Sequence, residues 1–208
     1  MTPGPTIIRK CSACLKSIKQ HTIGSGNTFG ATFWTDGKRD ASMLPDQPWL
    51  VMCPHCHVPL WIDELEKLGQ TEPWGDEQGK FKDASEYEKP SLDDYFALIA
   101  NGVGDPQKER YVCLRAWWAG NDQRRTNASE IPMSPLEAES VTAFAHTLNE
   151  SDSNDLVMKA EAMRELGRFD DALSLLAKSV DENISQAVKI IKDLTEKRDP
   201  YVRKMHFK

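Results

Sequence analysis

Four of the five cysteines in this 208-residue chain form two pairs of identical spacing, Cys11 and Cys14 in C-S-A-C and Cys53 and Cys56 in C-P-H-C. Thirty-eight residues separate Cys14 from Cys53, giving the pattern C-x2-C-x38-C-x2-C. Two residues between thiolates let a tight turn aim both sulfurs at one ion about 2.3 Å from each, and two such turns complete a tetrahedron. The chemistry on offer is metal ligation by Cys11, Cys14, Cys53 and Cys56. Two disulfides are disfavoured if the compartment is reducing. A redox-active C-x-x-C would open a helix in a βαβ setting, which neither pair has. Four thiolates close the coordination sphere, so the ion is expected to hold shape and not to activate water. His55 and His57 could compete as ligands, but beside four cysteines they read as knuckle residues. His21 reads as a loop or strand histidine. Cys113, far off in a helical stretch, reads as a buried, inert thiol.

Other chemistry finds no foothold. The sequence has no G-x-x-x-x-G-K-[ST], no G-x-S-x-G and no H-E-x-x-H. Gly24-Ser25-Gly26 is a short turn and a weak phosphate loop. Asp93-Asp94 suits the positive end of a helix better than acid–base work. Arg124-Arg125 could bind an anion but reads as a solvated helix end. Asn127-Ala128-Ser129 fits a glycosylation sequon, without consequence in a cytosolic chain. No catalytic and no cofactor-binding residue is assigned, and an enzyme is left without support. The loop 24–37 is rich in Gly, Asn, Asp and aromatics and could shape a cleft, though its composition is first of all that of turns.

The chain carries 26 Lys and Arg against 32 Asp and Glu, a net charge of −6. Residues 1–70 hold seven basic and six acidic side chains, and four thiolates on a divalent ion would make that half negative as well. Neither half has the basic field that duplex binding needs, so nucleic acid is disfavoured as a partner. No apolar run approaches the roughly 18 residues that span a bilayer, and MTPGPTIIRK lacks a signal pattern. The expected location is cytoplasmic, away from membranes.

The four-cysteine pattern resembles the knuckles of zinc ribbons, and zinc is the ion this implies. The run from Leu44 through Pro45, Asp46, Trp49, Cys53, Pro54 and Cys56 also resembles the L-P-D-x-W-x-C-P-x-C segment of rubredoxins, which implies iron as the alternative. His57 stands where rubredoxins have a glycine after the second pair.

The elements that must position the cysteines are short strands. Thr28–Thr35 is β-branched and aromatic and ends in Asp36-Gly37, a hairpin signal. Val51-Met52 and Val58–Ile62 read as strands flanking the second pair. Residues 1–70 are expected to form a small antiparallel sheet clamped by metal, with Trp34, Trp49, Trp61, Phe29 and Phe33 as core and lid. Those aromatics with Lys38 and Arg39 are the sharper alternative of a nucleic-acid stacking surface. Residues 71–90 read as a linker, with Trp74 pinned on a neighbouring surface and a short turn of helix at Phe81–Tyr87.

Residues 91–208 read as an α-helical domain. Ser91 caps a helix carrying Leu92, Tyr95, Phe96 and Ile99 and ending at Asn101-Gly102. Asp105-Pro106 opens a second, which Gly120 is expected to stop. Trp117 and Trp118 read as packing residues. Ser134-Pro135 opens a third, with Val141, Phe144, Ala145 and Leu148 on one face. A fourth ends at Gly167, a fifth runs from Phe169 to about Val180, and a sixth from Ile184 to about Lys197, before Pro200. Residues 156–182 resemble one tetratricopeptide repeat (TPR): Gly167 matches the turn glycine, Phe169 the aromatic, and Ala160 and Ala172 the small contact residues. Lys159 stands where the family has a leucine.

The sequence thus describes an α+β protein: a zinc-ribbon-like module over 1–70, then a TPR-like or irregular helical bundle. The function it suggests is a zinc-binding adaptor whose helical half offers a groove to a protein partner. A rubredoxin-like electron carrier and a nucleic-acid-associated zinc-ribbon adaptor are the alternatives.

Overall fold

The computed structural model describes residues 1–73, 79–127, 130–178 and 180–207. The expectation for Trp74 lies outside the described residues, as do Ala128 and Ser129 of the sequon. In chain order the strands are β1 (Thr2–Lys10), β2 (Ser17–Ser25), β3 (Thr32–Trp34), β4 (Arg39–Asp40), β5 (Leu50–Met52), β6 (Pro59–Trp61), β7 (Lys67–Thr71), β8 (Ser85–Glu86) and β9 (Lys204–Met205). The helices are α1 (Leu92–Asn101), α2 (Pro106–Asn127), α3 (Pro135–His146), α4 (Ser153–Glu165), α5 (Phe169–Leu176) and α6 (Ser185–Glu196). The fold is α+β. It divides into two compact units, one of Met1–Ala31 with Asp40–Pro90, the other of Thr32–Arg39 with Ser91–Lys208.

In the first unit β1 buries Gly4, Thr6 and Ile8 at every second position, the period of a strand with one face on a core. It pairs antiparallel with β2, setting Arg9 opposite Ile18, and with β7, setting Ile8 opposite Gly69. The two-residue β8 adds parallel to β2, so the sheet runs β7-β1-β2-β8. A separate pair, β5 and β6, sets Val51 opposite Leu60. Ile18, Val51, Leu60, Ile62 and Leu65 form a small core that also contains the Cys11 and Cys53 side chains. At about 1.5–3 kcal/mol for each fully buried aliphatic, so small a cluster gives a modest margin against chain entropy. The stretch 79–90 is built onto this unit. The Phe81 ring lies against Gly69, Tyr87 packs on the core, and Met52 and Glu88 exchange both backbone hydrogen bonds. Residues 85–86 are strand rather than helix.

In the second unit, capping boxes open α1 at Ser91/Asp94 and α3 at Ser134/Glu137. Asp152 caps α4 by accepting from the Asp155 N–H. Two helix ends differ from the sequence reading. Helix α2 does not stop at Gly120 but continues to Asn127. There the missing side chain serves packing, because a Cβ on Gly120 would strike the Glu137 carboxylate. Helix α5 ends at Leu176, where Lys178 N–H turns back to the Leu175 carbonyl in a tighter 3-10 bond. The core joins Trp117, Val141, Phe144, Leu148, Leu156, Ala160, Met163, Ala172, Leu176 and Ile191.

The segment Thr32–Arg39 completes this second unit, although it lies between the two cysteine pairs in sequence. β3 pairs antiparallel with β9, placing Phe33 opposite Met205 and Trp34 opposite Lys204. Asp36-Gly37 makes the expected turn: Gly37 N–H donates to the Trp34 carbonyl and Trp34 N–H to the Lys38 carbonyl. Gly37 has φ 79°, a conformation a side chain would strain.

Candidate metal centre

The two cysteine turns are conformational copies of one another. In the first, Cys11 N–H donates to Lys16 O and Leu15 N–H to Cys11 O. In the second, Cys53 N–H donates to Val58 O and His57 N–H to Cys53 O. The fifth residue of each turn is left-handed, Leu15 at φ 63° and His57 at φ 54°. The first turn joins β1 to β2 and the second joins β5 to β6. Each pair of sulfurs is thereby held at a hairpin end, with Cys11 and Cys53 buried and Cys14 and Cys56 at the rim.

The four sulfurs lie within 4.8 Å of one another. Cys11 Sγ and Cys56 Sγ are 3.8 Å apart, and Cys14 Sγ and Cys53 Sγ 3.7 Å. A regular tetrahedron of metal–sulfur bonds of about 2.3 Å has edges of about 3.8 Å. The donor set therefore fits a tetrahedral ion, and the cluster is positioned to bind a metal. Neither His55 nor His57 joins it among the described residues. His57 pairs with Glu88 instead, and His55 Nε2 is buried with no hydrogen-bond partner among the described residues. His21 is a strand residue between Thr6 Oγ1 and Glu86.

The thiols differ in acidity. Burial works against ionisation of Cys11, but N–H groups of Cys14 and Ala13 outweigh it and bring its pKa down to about 7. Burial pushes Cys53 up to about 12 and raises Cys56 as well. A cation that holds all four as thiolates must displace protons as it binds. Cys113 is buried on α2 and its pKa is raised, by burial and by Glu109.

A second concentration of ionisable groups lies inside the helical unit, and the sequence reading missed it. Arg124 and Arg125 are not a solvated helix end. Arg124 donates two hydrogen bonds to Glu137, at 2.8 and 3.1 Å. Arg125 is ion-paired with Asp36, which is wholly buried, and stacks over the Trp34 ring at 5.4 Å. Asn121 Nδ2 donates to Asp36 Oδ2 at 2.9 Å and to Glu165 Oε2 at 3.0 Å. Trp117 Nε1 donates to Glu165 Oε2 at 2.8 Å, and Trp118 Nε1 to the Asp36 carbonyl at 3.0 Å. Beside them Arg164, also fully buried, holds Glu161 through two bonds of 2.7 and 2.5 Å. Two guanidiniums, Arg125 and Arg164, thus lie among three buried carboxyls, those of Asp36, Glu161 and Glu165, with Asp122 on Arg125 and Asp199 beside Arg164 nearer the surface. Glu165 has no ion-pair partner among the described residues, and burial with the nearby Glu161 and Asp36 outweighs Arg164 and Asn121 and raises its pKa well above the ordinary value. Burial also raises Asp36, with Arg125 opposing.

The aromatics expected as core and lid of residues 1–70 do not share one core: Phe33 and Trp34 belong to the second unit, Trp49 and Trp61 to the first. Trp49 and Trp61 meet edge to face at 5.0 Å, and Phe33 meets Phe207 at 5.6 Å. Phe29, on a loop tip, is 89% exposed. Among the described residues no helix is long and apolar enough to cross a membrane. No protein-family model, curated protein or solved structure matches the chain.

Proposed function

We propose that the chain is a zinc-binding adaptor, with Cys11, Cys14, Cys53 and Cys56 holding one structural zinc and the helical unit offering a surface to a protein partner. The observation that carries the reading is the near-tetrahedral spacing of four sulfurs on two copies of one turn. The ion supplies cross-links between β1–β2 and β5–β6, which add to the modest margin of so small a core. All four positions are taken by thiolates, which suits a structural and not a hydrolytic role. Zinc is favoured because closed tetrathiolate sites of this kind are most often zinc; a rubredoxin-like iron site would share the geometry.

The adaptor part rests on the helices. α4 and α5 form an antiparallel hairpin with Ala160 and Ala172 fully buried in the core and Gly167 at φ 74° in the turn. These features support a TPR-like hairpin, which buries one face against neighbours and leaves another for a ligand. The proposed location is cytoplasmic.

The test is ligand replacement. Cys11→Ser and Cys53→Ser are expected to lose the bound ion and the near-UV signal of Trp49 and Trp61. Retention of both in either variant would overturn the site. For the adaptor role, a partner cross-linked to the native chain should map to residues 91–208. Cross-links confined to residues 1–31 would contradict it.

A further inference from the structure

We infer that Thr32–Arg39 is a strap through which metal occupancy at the four cysteines sets the stability of the helical unit. The inference rests on the proposed metal site and adds a consequence for a part of the chain that holds none of its ligands.

The first link is that the helical unit needs the strap. β3 is the partner of β9. Asp36 is the buried one of two counter-charges of Arg125, the other being the half-exposed Asp122 at 2.5 Å, and is one of the acceptors for Asn121. The Asp36 carbonyl takes the Trp118 indole N–H. Thr35 Oγ1 accepts from Arg203 N–H at 3.0 Å, and Thr35 N–H donates to the Arg203 carbonyl at 2.9 Å. Withdrawing the strap takes the buried carboxylate from Arg125, leaving it only the half-exposed Asp122, and takes acceptors from the Trp118 indole and the Arg203 N–H. Such groups are far costlier unpaired than paired.

The second link is covalent. The strap leaves the cysteine unit at Ala31 and returns to it at Asp40. Its sequence lies wholly inside the 38-residue span between Cys14 and Cys53. An ion that ties Cys11 and Cys14 to Cys53 and Cys56 closes that span into a loop and shortens the chain's reach. The entropy of bringing the strap to its slot is then met in part by the metal. When the ion is removed, the small first core loosens, both tethers lengthen, and the strap docks less often. The two units are in this way linked thermodynamically by the chain path itself.

The test is amide hydrogen exchange of the full chain, zinc-loaded and stripped with a chelator, read by mass spectrometry on peptides of α2 and α4. Stripping is expected to speed exchange there by about tenfold or more. A chain that takes up no zinc overturns both this inference and the reading beneath it. A chain that binds zinc yet shows unchanged exchange in α2 and α4 on stripping overturns this inference alone. Asp36→Asn identifies the route. With zinc bound it should already speed exchange in α2, and stripping should then add less than in the parent chain. An undiminished effect of stripping would place the coupling elsewhere and overturn the strap. Should Asp36→Asn fail to fold, Trp34→Phe keeps the carboxylate, trims the ring beneath Arg125 and serves the same comparison.

Discussion

Leu15 and His57 hold the same left-handed backbone at the same place, four residues after the first cysteine of their pairs. Neither is glycine, so each turn carries strain of about 1 kcal/mol to bring its two sulfurs together. Leu15 is 64% exposed, so its side chain contributes little packing to set against the strain. Leu15→Gly is therefore expected to stabilise the first unit by about 0.5–1 kcal/mol. His57→Gly should gain less, because it gives up the pair with Glu88. Thermal denaturation of the metal-loaded variants checks this; a loss of stability in Leu15→Gly would show that the leucine has a packing role.

Glycine has the opposite meaning at position 120. There it sits in mid-helix against Glu137, which both caps α3 and pairs with Arg124. Gly120→Ala gains helix propensity but must displace that carboxylate. The expected result is a net loss of about 1–3 kcal/mol, measured by urea unfolding followed by helical CD. A stabilised variant would mean that Glu137 can move without cost.

Glu161 and Glu165 lie one helical turn apart and are both buried, yet their replacements should differ. Glu161→Gln leaves buried Arg164 only the longer 4.0 Å pair with Asp199 and is expected to cost about 3–5 kcal/mol at neutral pH. Glu165→Gln removes a charge that burial already disfavours and is expected to cost much less. Equal losses would mean that Glu165 is ionised in the folded chain.

The same carboxyl gives a pH dependence. Burial, with Glu161 and Asp36 nearby, raises the folded-state pKa of Glu165 above 4.5. Above 4.5 the folded chain then binds more protons than the unfolded one, so stability falls as pH rises until the folded pKa is passed. The slope is up to about 1.4 kcal/mol per pH unit. Glu137 and Asp155 act the other way. In Glu137 burial is outweighed by Arg124 and Ser134, and in Asp155 the Arg110 hydrogen bond lowers the pKa. Their contribution is present above the unfolded pKa and is lost as pH falls through the folded one. Lowering pH from about 8 to about 5 should therefore raise the urea midpoint of the helical transition, relative to Glu165→Gln, before both chains lose stability in acid. Parallel profiles for the two chains would contradict the assignment. The comparison cancels any contribution of the cysteines, which are common to both.

Much of this was legible in the sequence where the determinants are local. Paired spacing marks Cys11, Cys14, Cys53 and Cys56, capping residues mark the starts of α1 and α3, and Asp36-Gly37 marks a turn. The sequence reading missed β1 and β2, because TPGPTIIRK carries two prolines and a glycine in its first half and looks like a poor strand. Its strand character comes from pairing on both sides, with β2 and β7. The destination of Thr32–Arg39 was also hidden. Nothing local says that Asp36 pairs with Arg125, 89 residues away, and two adjacent arginines at a helix end look solvated until their partners are known.

The most direct test of the central claim is elemental analysis of the purified chain with an absorption spectrum. The expected result is one zinc per chain, no visible band, and loss of the ion in Cys11→Ser. One iron with a visible charge-transfer band would contradict zinc and move the protein to electron transfer. No bound metal at all would contradict the centre itself.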